Sequence, residues 1–103
     1  MEFIFIYITF PKQDEARKVS RHLLEKRLIA CVNMHPISSL YWWEGKIADE
    51  KEWVVIAKTR SENWGTVKKE VEELHSYTTP YIIRVPVSSK QGFYDWVINE
   101  AKE

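Results

Sequence analysis

Between Ile29 and Trp43 the chain reads as one strand whose last four residues, Leu40-Tyr41-Trp42-Trp43, are all large and apolar. Asn33, His35, Ser38 and Ser39 break any helical stripe, and Pro36 cannot donate a ladder hydrogen bond, so a bend or bulge is expected there. At roughly 3.3 Å per residue the strand runs about 50 Å, against a radius of gyration of about 13 Å for a compact chain of some 100 residues. It must bend or overhang the rest of the fold. Side chains alternate across a strand, so large groups point to both faces near its tip. A single copy can cover one of those faces at most, and each aromatic brings on the order of 150–250 Å² to hide. A homo-oligomer is the expected solution, with Tyr41, Trp42, Trp43 and Trp53 at its interface and a closed ring as the product of head-to-tail contacts. The competing arrangement folds the tip back onto the chain's own helices.

The remaining elements follow from periodicity. Phe3 to Phe10 is aromatic and β-branched without polar alternation, as in a central strand covered on both sides. Ala16, Val19, Leu23 and Leu24 recur at helical spacing among charges, giving an amphipathic helix. Trp43-Glu44-Gly45-Lys46 reads as a tight hairpin turn, with the return strand expected over Trp53 to Thr59. Ser61 is expected to cap a second helix whose stripe is Trp64, Val67, Val71 and Leu74. Tyr81 to Val87, bracketed by Pro80 and Pro86, suits an edge strand. Ser88 and Gln91 fit a capping box before a short last helix carrying Phe93, Trp96, Val97 and Ala101. The order β-α-β-β-α-β-α predicts an α+β, ferredoxin-like sandwich with an extra C-terminal helix and a long central hairpin, as one domain over residues 1–103.

Composition removes several function classes. Fifteen Lys and Arg balance fifteen Asp and Glu, leaving no basic field to gather a nucleic acid or an anionic membrane. RNA-recognition motifs share the strand order, but Lys51-Glu52-Trp53-Val54-Val55-Ile56-Ala57-Lys58 lacks their glycine and second ring, and puts Glu52 where a phosphate would be repelled. Phe3 to Phe10 is too short to cross a bilayer. One cysteine, Cys31, allows neither an intrachain disulfide nor a multi-cysteine zinc site and suits a reducing, cytoplasmic setting. No nucleophile triad, phosphate-cradling glycine loop or paired-carboxylate signature is recognisable, so a non-enzymatic role is expected.

Four residues remain as candidates. Cys31 and His35 lie about 13 Å apart on one strand face, too far to chelate one ion; Cys31 reads as a small core residue and His22 as a surface one. His75 falls where the second helix ends, as a cap, a hydrogen-bonding group or a metal ligand. Lys58, near a strand end with its ammonium expected to emerge there, and Tyr77, close to His75, are candidates with Trp43 for lining an anion- or small-molecule-binding cleft between subunits.

Taken together the motifs resemble the CutA family of divalent-cation tolerance proteins across nearly the whole chain. The residues that carry it are Thr9 and Pro11; Glu25, Arg27, Leu28, Ala30, Cys31, Val32 and Asn33; Ser39, Tyr41, Trp43, Gly45 and Lys46; Lys58-Thr59; His75, Tyr77 and Pro80; and Tyr94 and Trp96. The resemblance implies a ferredoxin-like homotrimer, similar in shape to nitrogen-regulatory signal proteins, and a link to copper and other divalent cations. In animal relatives it implies anchoring of acetylcholinesterase, and no reaction is attached to the family. Members usually read His-Pro-Tyr-Glu, then Pro and an acidic residue. Here the segment is His75-Ser76-Tyr77-Thr78-Thr79-Pro80-Tyr81, so carboxylates are missing at Thr78 and Tyr81. A first-strand cysteine found in some members is Ile8 here. Of that copper set only His75 remains, which implies a weak site or one built from several subunits.

Overall fold

Glu2–Phe10 forms the expected inner strand, with Ile4, Ile6, Ile8 and Phe10 out of contact with water. The computed structural model describes residues 2–102; Met1 and Glu103, the ends of the domain expected over 1–103, lie outside the described residues. The elements are β1 (Glu2–Phe10), α1 (Gln13–Glu25), β2 (Cys31–Trp43), β3 (Lys46–Thr59), α2 (Trp64–Leu74), β4 (Ile82–Ser88) and α3 (Gln91–Glu100). The four strands make one sheet in the order β2-β3-β1-β4 with every neighbouring pair antiparallel. With the helices this is the ferredoxin-like α+β arrangement.

The register separates two faces. Ile4, Ile6, Ile8 and Phe10 of β1 join Val55 and Ala57 of β3 under Ala16, Val19 and Leu23 of α1 and Val67 and Val71 of α2. The opposite face is made of odd-numbered residues of β1, β2 and β4 and even-numbered residues of β3. One end of it is capped within the chain, where Phe93 and Tyr94 of α3 meet Phe3 at ring-centroid distances of 5.7 and 6.5 Å. Helix α1 ends through Arg27 at φ 59, with the Leu28 amide returning to the Leu23 carbonyl, a left-handed termination.

The hairpin departs from expectation in two ways. β2 pairs with β3 in one unbroken register, from Cys31 opposite Lys58 to Trp43 opposite Lys46, so there is no bulge. Pro36 sits opposite Trp53 on an edge strand, where its missing donor leaves no ladder bond unmade. The return strand starts at Lys46 rather than Trp53. Its pairing with β1 ends at Trp53 opposite Phe10, so residues 46–52 and 37–43 run on together as a two-stranded arm. Glu44 and Gly45, at φ 51 and 78, form the two-residue turn that matches strand twist. The arm gives the molecule its 45 Å long axis, against 24 and 21 Å for the others.

Neither expected cap is made. Ser61 begins a short 3₁₀ turn and α2 starts at Trp64. Asn63 there is drawn inward, its amide donating to the carbonyls of Leu28 at 3.0 Å and Lys102 at 2.9 Å. Ser88 is still the last residue of β4, and Gln91 donates instead to Asp95 at 2.8 Å.

Candidate ligand cleft on the open sheet face

Alternation along β3 puts Glu50 and Glu52 on the open face, and the hairpin register puts Tyr41 and Trp43 beside them from β2. Tyr7 and Thr9 approach from β1, and the segment after α2 adds Tyr77, Thr78, Thr79 and Tyr81. Together they line a cavity of about 1040 Å³ at the base of the arm. Glu52 is buried and accepts a hydrogen bond from the Tyr77 hydroxyl at 2.8 Å; Glu50, more exposed, accepts one from the Tyr41 hydroxyl. The bond to Glu50 pushes the Tyr41 phenol up to about 12. Burial first, and then the bond to Glu52, raises the Tyr77 phenol well above its ordinary value. Both hydroxyls therefore stay protonated and donating at neutral pH.

His75 ends α2 with a fully buried side chain. Its Nε2–H donates to the Thr9 carbonyl at 2.7 Å, and its Nδ1 accepts from the Tyr77 amide at 3.0 Å. The ring stacks on Phe10 with centroids 4.5 Å apart. The Oε2 of Glu15 lies 3.5 Å from Nδ1 and accepts from the Ser76 amide at 2.9 Å. With both nitrogens engaged, His75 fixes the segment that delivers Tyr77 to the cleft, which is the hydrogen-bonding role weighed for it in sequence. A metal reaching Nδ1 would have to displace the Tyr77 amide. Among the described residues no group of three His, Cys, Asp or Glu side chains could hold a metal ion, so a copper centre within one chain does not fit these side chains.

Trp43 and Tyr77 thus share one cavity, and Lys58 is not part of it. Lys58 lies six residues along β3 from Glu52, about 20 Å away at strand spacing. Its amine does not emerge at the sheet's end: the side chain is buried, bonded to the Asn33 amide oxygen and placed 5.6 Å above the Phe5 ring. Burial lowers that amine below its ordinary value and raises the Cys31 thiol opposite it. Cys31 is half-buried on the open face rather than in the helix-covered core. His22 is a surface residue, 2.7 Å from Glu70 across the two helices.

The tip is bare on both faces. Leu40, Trp42 and Ile47 are 70%, 73% and 64% exposed on one side, and Trp43 is 61% exposed on the other. The tip does not fold back onto the helices. Trp53 differs from the other aromatics of the hairpin, because it packs half-buried against the helix-covered core. Sequence reading missed Glu50 and Glu52 as cleft residues. Alternation would have found them had the return strand been started at the turn.

Residues 4–100 match the family described as CutA1 divalent ion tolerance protein. A divalent-cation tolerance protein CutA of Archaeoglobus fulgidus is 50% identical over 94 residues, which cover 90% of this chain and 92% of the relative. Among solved structures, the periplasmic divalent cation tolerance protein CutA from Archaeoglobus fulgidus superposes with a TM-score of 0.95 at 47% identity, over 99% of this chain and all of the other. A PII-like protein CutA from a Nostoc species does so at 0.90 with 26% identity, over 96% and 97% of the two chains. Among the described residues no helix is long and apolar enough to cross a membrane.

Proposed function

Because the chain belongs to the CutA1 divalent ion tolerance family, we propose that it works as a homotrimer that binds divalent cations, copper first, weakly and in or near clefts between copies, without a catalytic role. The observation that carries this reading is the arm. It offers water large apolar groups on both faces, and β2 beside it is a bare strand edge of 13 residues. Both are liabilities that partner copies remove, by covering the faces and pairing the edge. A head-to-tail contact of this kind closes into a ring. Tyr41, Trp42 and Trp43 lie in that contact, with Trp53 at the root of the arm.

Imidazole suits copper better than it suits calcium or magnesium, and His75 is the ligand this reading assigns. The Tyr77 amide already on its Nδ1 keeps the affinity low. Light scattering tests the assembly, where a particle of one chain's mass overturns the trimer. Calorimetric copper titration of wild type and His75→Gln tests the ligand, where identical isotherms remove His75. The partners on this reading are further copies and metal ions, in the cytoplasm, without nucleic acid or membrane. The lone cysteine favours that compartment, and cell fractionation checks it.

A second reading, a small-molecule sensor or scaffold, is supported by the size of the cavity and by the likeness to a protein described as PII-like. Trp43 and Tyr77 line its ligand site, and a thermal-shift screen in the presence of a chelator checks it, since a metal-only protein gains no stability there.

A further inference from the structure

We draw no further inference here: the strongest candidate, the side-chain cluster of buried Lys58 with Asn33, Phe5 and Cys31 at the end of the open sheet face away from the arm, lies on a face assigned to contact between copies, and nothing in the structure shows what covers it.

Discussion

The Tyr77 hydroxyl donates to the Glu52 carboxylate at 2.8 Å and so fastens the segment after α2 to the root of the arm, two parts of the chain 25 residues apart. Tyr41 repeats the arrangement with Glu50 two residues further out along β3.

Alkaline titration should find both phenols late. Their folded values lie above the ordinary value of 10.0, so the stabilisation they give is complete below that pH. It is lost as pH rises through the folded values, about 12 for Tyr41 and higher for Tyr77. Tyrosinate absorbance against pH should show two late-titrating rings, one removed by Tyr41→Phe and the other by Tyr77→Phe. A protein whose tyrosines all ionise together near the ordinary value contradicts these hydrogen bonds.

Removing the His75 ring should destabilise the fold by about 2–4 kcal/mol. His75→Ala leaves the Thr9 carbonyl and Tyr77 amide unpaired and a void beside Phe10, whereas His75→Gln can restore one hydrogen bond and should lose less. Denaturant melts at one fixed protein concentration would show the order. Equal stability of wild type and His75→Ala would refute the structural role.

Trp42 and Ile47 face each other across the arm and touch neither helix layer. The double change Trp42→Glu with Ile47→Lys keeps a favourable cross-strand pair in the hairpin while wetting the contact surface. Light scattering should then report smaller particles with unchanged far-ultraviolet circular dichroism. An unaltered particle mass would show that this side of the arm is not a contact.

At the turn, Glu44 adopts φ 51, a left-handed conformation that asparagine tolerates better. Glu44→Asn should stabilise the protein by a few tenths of a kcal/mol, whereas Gly45→Ala, at φ 78, should cost about 1 kcal/mol. Thermal melts of both variants check the opposite signs.

Legibility varied along the chain for physical reasons. β1 and α1 were readable because apolar residues recur with the period of the element, and β4 because two prolines leave it only an edge. The stretch Lys46-Ile47-Ala48-Asp49-Glu50-Lys51-Glu52 was not assigned to the return strand because it is mostly charged. Pairing with β2, rather than propensity, makes it a strand. The capping sites misled for a similar reason: the side chain of Asn63 answers carbonyls of Leu28 and Lys102, both far away in the chain. His75 was recognisable as a residue at a helix end, but its partner Thr9 lies 66 positions earlier.

Order of elements, the overhanging arm, its apolar load and the family resemblance were all present in the residue order, since each depends on local periodicity or motif. Which residues share the cleft was a matter for the folded sheet. Register brings Glu50 and Glu52 beside Tyr41, the turn after α2 adds Tyr77, and the same register carries Lys58 away to the other end. Contacts between distant segments follow from how strands align, and alignment is settled by the packing of one whole sheet face against the helices.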